Sequence, residues 1–441
     1  MRDREFYKSL RGLMIPIAFQ SFMLAAVSAG DSAMLGFVDE NAMAAVSLAG
    51  NIQFVENLFL SAIVCGGTIL TSQYWGKGDK KAVEWLFGLI IRYAAVVSAV
   101  FFAAAIAFPE VLMSFFTDEA ELLALGAQYV RVAALSYLLT GVTQCWLCVM
   151  KTTGQTKQSA AISTGALALD TALNAVFIFG LGMGVLGAAL TTAIARLAEL
   201  AAALLYTRRM AVRPDFRRTS RALNRDFVRY SAPVLVNAMV WGIGTTLYSV
   251  IIGHLGTVMA AANAVAGVVR QLAISVCRGL ASGGEILLAG VLGSGDLLRG
   301  REYGRRLAVL SVLCGAACAG LALAFGLVLL RLMALSDAVR QTLLHMTVIS
   351  ALYMLPLSVN TVVICGVFTA GGDTAFDAYS VAVTMWLMIL PAACAAAFWW
   401  RWEPMTVYLI LSLDEIIKIP WVYAHYKKHR WLRNITREDA A

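Results

Sequence analysis

The sequence predicts an all-α integral membrane protein: twelve transmembrane helices in two parallel-repeat six-helix lobes around a central cleft. Three observations predict it. Of the 441 residues, 60% are hydrophobic and only 14% are charged, against about 25% charged in a soluble domain. The apolar residues lie in long continuous runs, as in spanning helices, and not in the alternating ten-residue segments of a barrel. The second half of the chain repeats the first in one register, 217 residues on.

The apolar segments follow one another at 12–38, 43–75, 86–110, 121–150, 158–180, 184–207, 227–253, 258–292, 304–330, 341–370, 376–398 and 404–426. The first follows MRDREFYKSLR, which is no cleavable signal peptide because it leads straight into a full-length span. Several runs exceed the ~20 residues needed to cross, so those helices tilt, bend or project beyond the bilayer. Pro16, Pro233, Pro356, Pro391 and Pro420 fall within or near spans, where bent helices can absorb a change of shape. The linker 208–226 is basic, and it separates an N-terminal lobe, 1–207, from a C-terminal lobe, 227–426, with a tail at 427–441. The eight cysteines all lie in apolar segments and read as small buried residues, since the Cys145–Cys148 pair has no second ligand pair.

An even number of spans puts both termini on one side. Most of the 35 Lys and Arg residues fall on that side, in the N-terminus, the loops after spans two, four and eight, the linker and the tail. The opposite loops hold only Arg331, Arg340 and Arg401. The positive-inside rule places both termini in the cytoplasm of a cell inner (plasma) membrane. The net charge of +8 thus reflects orientation, and no nucleic-acid partner is expected.

The repeat is residue by residue. Pro16 meets Pro233, Gly66 and Gly67 meet Gly283 and Gly284, GKGD (76–79) meets GSGD (293–296), and Cys148, Thr152 and Gly154 meet Cys365, Thr369 and Gly371. Six spans per half keep corresponding spans in the same orientation, related by an axis along the membrane normal. Two such lobes with a cleft between them suit alternating access. A channel is disfavoured, because there is no filter-like segment and no ring of like-signed residues.

Asp31 lies alone near the outer end of the first segment, where a charge is costly. Asp170 and Asn174 sit at i,i+4 on one face of the fifth segment, and Thr192 lies in the sixth. At 1.5 Å per residue these four are ~8–15 Å below the outer surface, within reach of one pocket. Two carboxylates, an amide carbonyl and a hydroxyl are hard oxygen ligands, suited to Na⁺ or to a shared proton. The bland alternative is that both acids only bond neighbouring helices. Gln53 and Glu56 share a face of the second segment that lines either the cleft or a helix contact. Arg196 and Glu199, at i,i+3, neutralise each other. Arg278 in the eighth segment leaves room for zwitterionic or anionic cargo, whereas Asp79 and Asp373 at helix ends read as caps and loop anchors.

DSAMLGF followed by AMAAVSLAGNI, then GGTILTSQYWGKGD, MKTTGQTK, NAVFIFGLGMGVLGAALTTAIAR, GVFTAGGDT and DEIIKIPWVYAHYKKHRWLRNIT together resemble the multidrug and toxic compound extrusion (MATE) family, from about residue 10 to 436. The resemblance implies twelve helices in two six-helix lobes and efflux of organic, often cationic, compounds in exchange for Na⁺ or H⁺, with no cofactor and a monomeric chain. It also implies a cation site at Asp31, Asp170, Asn174 and Thr192. This chain departs from the common span-five order, Asn then Asp four residues on, by placing Asp170 first. The span-seven coupling Glu of some members is replaced by Trp241, and Tyr248 stands at the repeat partner of Asp31, so coupling through the C-terminal lobe is not expected. Asn237, Trp241 and Tyr248 are then candidates for the cavity wall, where an aromatic face can hold an organic cation; packing or lipid-facing roles are the alternative.

The leading expectation is a secondary antiporter, with a small organic substrate and the lipid bilayer as its partners. A lipid-linked saccharide flippase of related two-lobed plan is the second reading, disfavoured by the few arginines available to a cleft. An enzyme is not expected: there is no HExxH, no GxSxG, and the four histidines are scattered.

Overall fold

The computed structural model describes residues 2–36, 40–217, 220–333 and 335–438, with the side chains of all of these except residues 2, 3, 29, 31–33, 35, 36 and 40. The helices are α1 (Arg2–Gly36), α2 (Glu40–Lys77), α3 (Lys80–Ala107), α4 (Pro109–Ser114), α5 (Ala120–Thr152), α6 (Thr156–Asn174), α7 (Gly184–Tyr206), α8 (Arg221–His254), α9 (Thr257–Ala273), α10 (Ser275–Gly293), α11 (Leu297–Leu332), α12 (Asp337–Thr361), α13 (Ala375–Val381), α14 (Leu390–Cys394), α15 (Pro404–Leu411) and α16 (Asp414–Lys427). No strand occurs among the described residues. π-helical turns extend α6 over Ala175–Gly180 and α12 over Val362–Phe368, and join α13 to α14.

Eleven helical stretches among the described residues are long and apolar enough to cross a membrane. The expected twelfth, 404–426, is the exception: it is built as two helices, α15 and α16, on either side of a two-residue turn, and neither reaches that length by itself. At the turn, Ser412 Oγ donates to Tyr408 O at 2.9 Å beside the backbone bond from Ser412 N–H to the same carbonyl. The second half of the segment carries Asp414, Glu415 and Lys418.

The repeat is written in the backbone. Asp79 caps α3 by accepting from the Ala82 N–H at 3.1 Å, and its repeat partner Asp296 caps α11 by accepting from Arg299 N–H at 2.9 Å. The preceding Gly78 and Gly295 both have φ +85°, a left-handed conformation in which a Cβ is strained.

The chain packs as two compact units. One gathers the residues up to Phe22, Gly76–Gly78 and Ala232–Thr436; the other gathers Met23–Trp75, Asp79–Ser231 and the chain from Arg437. Within the first unit, Phe6 and Leu10 of α1 are buried in a core with Leu280, Leu288, Tyr303 and Leu307. A Cβ on Gly283 would come within 3.0 Å of Met14 N. Within the second unit, Leu223 and Phe227 of α8 are buried, the Tyr93 hydroxyl donates to Asn224 Oδ1 at 2.9 Å, and a Cβ on Gly66 would meet Ser231 Oγ at 1.9 Å. Gly66 and Gly283 are repeat partners, as are Met14 and Ser231. Each unit therefore holds the leading stretch of the other half's first helix, and the two close approaches obey the same internal symmetry.

Candidate functional site

The second unit carries the oxygen-bearing residues expected on the fifth and sixth segments, on α6 and α7. Asp170 and Asn174 are both buried, one turn apart on α6. Burying a charged or amide group without partners costs several kcal/mol, so the neighbours decide what the pocket can do. Thr191 on α7, wholly buried, donates its hydroxyl to Asn174 Oδ1. Thr192, only half-buried, donates to Ala188 O of its own helix at 3.0 Å. The hydroxyl seen meeting the amide is thus that of Thr191, one residue before the expected one. The helix leaves α geometry immediately after Asn174, and such π turns concentrate at functional sites. The Asp31 side chain lies outside the described residues; only its place on α1 is described.

Gln53 and Glu56 belong to the same unit but to a different surface. Glu56 is completely buried. Its Oε1 accepts from Ser98 Oγ of α3 at 2.8 Å, and Ser98 packs on Gly141 of α5, where a Cβ would come within 2.1 Å of its hydroxyl. The structure therefore sets Glu56 among α2, α3 and α5. Gln53 is half-buried. Arg196 and Glu199 form the expected i,i+3 ion pair at 2.8 Å.

The first unit holds a buried charged network that the sequence reading passed over. Asp414, Glu415 and Lys418 on α16 are all buried, as is Asn360 on α12. Lys418 Nζ donates to Glu415 Oε1 at 2.7 Å. Asn360 Nδ2 donates to Glu415 Oε2 at 2.8 Å and to its carbonyl at 2.7 Å. Asp414 accepts from the Glu415 N–H at 2.8 Å. Asp377 on α13 accepts from Asn237 Nδ2 at 2.6 Å. Tyr248 and Tyr353 lie within electrostatic reach of Asp414 and Glu415. Asn237 and Tyr248, expected at the cavity wall, are thus brought to this network. Trp241 is exposed on α8. Arg278 is exposed and donates to Gln271 Oε1 at 3.2 Å across the break at Ile274. Three carboxylates with one ammonium leave the cluster rich in negative charge, an arrangement that draws a proton or a cation. The signal that was readable is the DEIIK run, three ionisable residues inside an apolar segment.

Helical spans, buried carboxylates and an internal repeat describe a multi-pass membrane protein. The comparisons agree. The MatE family matches residues 16–176 and again 233–394, so the chain belongs to the MatE family, with one family module in each half. It is 23% identical to the uncharacterized transporter YisQ of Bacillus subtilis over 98% of this chain and 96% of that protein. It is 25% identical to a probable multidrug resistance protein NorM of Rhizobium meliloti over 65% of this chain and 63% of that protein. Among solved structures, the fold matches the Vibrio cholerae MATE transporter VcmN in its bent form with a TM-score of 0.86, 18% identity and 97% of each chain covered. It also matches a MOP superfamily transporter from Pyrococcus furiosus with a TM-score of 0.89, 14% identity, and 96% and 95% covered.

Proposed function

We propose that this transporter is a secondary antiporter that exports small organic compounds, cationic or zwitterionic, in exchange for H⁺ or Na⁺ by alternating access. The observation that carries the proposal is the division of buried charge between the two units. In one, Asp170, Asn174 and a threonine hydroxyl gather on α6 and α7. With Asp31 and Thr192 they make the coupling-ion pocket, built from oxygen atoms that suit Na⁺ or a proton. In the other, Asp377, Asp414 and Glu415 outnumber Lys418 and form the counter-charge for a cationic cargo, with Asn237 and Tyr248 beside them. Each ligand favours the conformation it binds better, so exchange follows from differential binding.

The wider arrangement proposed is twelve spans in lobes 1–207 and 227–426, joined by the linker 208–226, with a tail at 427–441. Both termini face the cytoplasm of the inner membrane, and the chain works as a monomer. The repeat and the bias of basic residues support it. A lipid-linked saccharide flippase would need a cationic pocket for pyrophosphate, and the buried charge of the first unit is of the opposite sign. The test is efflux of a fluorescent organic cation from cells expressing the wild type or Asp31→Asn at equal levels. Export by the wild type alone supports the coupling role; equal export by both removes Asp31 from it. Imposed Na⁺ and pH gradients then identify the ion.

A further inference from the structure

A groove of about 470 Å³ opens where α13 begins and α16 ends, in the first unit. Its floor is aromatic. Phe376 stacks on His425 at 4.1 Å between ring centroids, and Tyr379 stacks on Trp421 at 6.1 Å with 19° between planes. Its rim is basic, with Lys428 and Arg430 both exposed. The one acid in the lining, Asp373, is held by His425 Nε2 at 2.7 Å. Neither Lys428 nor Arg430 forms an ion pair among the described residues. A third cation, Lys427, lies beside the groove over the Tyr423 ring at 4.4 Å.

We propose that this groove binds the phosphate headgroup of an anionic phospholipid. Two features choose a lipid over a soluble anion. The aromatic shelf of Tyr379 and Trp421 is exposed, and the helical stretches that carry it hold further exposed apolar side chains, Leu387 on the one and Ile416 on the other. Large apolar side chains exposed on a spanning helix face acyl chains, while Trp and Tyr at the end of a span sit at headgroup level. The basic residues stand where the span ends, the position at which Lys and Arg attract an anionic leaflet. Phosphate on Lys428 and Arg430, with acyl chains running down the shelf, uses both features; a free phosphate uses only the basic residues.

Native mass spectrometry of the full chain, with equal phosphatidylglycerol and phosphatidylcholine, tests this. Phosphatidylglycerol should be retained preferentially. Removing both charges, in Lys428→Gln with Arg430→Gln, should cut that preference about thirtyfold, at about fivefold per basic residue. Lys157→Gln, far from the groove in sequence and in the other unit, should leave it unchanged. Trp421→Ala should weaken retention of phosphatidylglycerol without changing phosphate binding, which keeps the test open if the double variant does not fold. Equal retention of the two lipids by the wild type, an unchanged preference in the double variant, or displacement of the lipid by equimolar inorganic phosphate would each overturn the proposal.

Discussion

The pocket on α6 and α7 and the network on α12, α13 and α16 are both buried, yet they solve burial differently. The first places Asp170 one turn from Asn174, whose Oδ1 accepts from the Thr191 hydroxyl. The second brings its own cation: Lys418 donates to Glu415, which also accepts from Asn360. A carboxylate bound to an internal ammonium resists removal of either partner, because the survivor is left as an unpaired buried charge. In the second network Lys418 offsets Glu415 and leaves Asp377 and Asp414 as the surplus negative charge proposed for a cationic cargo, whereas the first is the site proposed for the coupling ion.

The comparison breaks most easily at Lys418. Lys418→Ala should destabilise the protein by about 3–5 kcal/mol, because Glu415 stays buried without its partner; thermal unfolding in detergent reads this. Combining Lys418→Met with Glu415→Leu should recover most of the loss. Next in size, Asp170→Asn should lower ion-driven efflux about 10–100-fold, the weight of a charged hydrogen-bonding group, while leaving the unfolding temperature near wild type. A smaller effect separates the two threonines. Thr191→Val should weaken the dependence on the coupling ion about fivefold, one hydrogen bond's worth, and Thr192→Val should change it less. The smallest test addresses the repeat: Asp79→Ala and Asp296→Ala should each cost about 1 kcal/mol, as equal losses of a helix cap.

Much of the fold was legible. Long apolar runs and the 217-residue register were enough to foresee a helical membrane protein with a repeated module, and Asp79 caps a helix as its place in GKGD suggested. The interruption of the twelfth segment at Ser412 and Leu413 was not read, although the DEIIK run just after it put three ionisable residues into an apolar stretch. The exchange of the leading stretches of α1 and α8 was hidden for another reason. Gly66 and Gly283 were visible as repeat partners, but only tertiary packing shows Ser231 against one and Met14 against the other. At the site, i,i+4 spacing found Asp170 and Asn174. Depth on the sixth segment pointed to Thr192, whereas Thr191 is the residue that meets Asn174, because adjacent helical residues differ by ~100° in direction and depth alone does not separate them. Glu415 and Asn360 are 55 residues apart and meet only through the packing of α12 on α16.

The most direct measurement compares Asp170→Asn with Asp414→Asn in proteoliposomes, recording cargo binding and the response of transport to an imposed ion gradient for each. If the two units divide the labour as proposed, Asp170→Asn abolishes the response to the gradient and leaves cargo affinity intact. Asp414→Asn weakens cargo binding and leaves the ion dependence of the remaining transport unchanged. If both substitutions alter the same quantity, ion and cargo share one site and the division between the units is wrong.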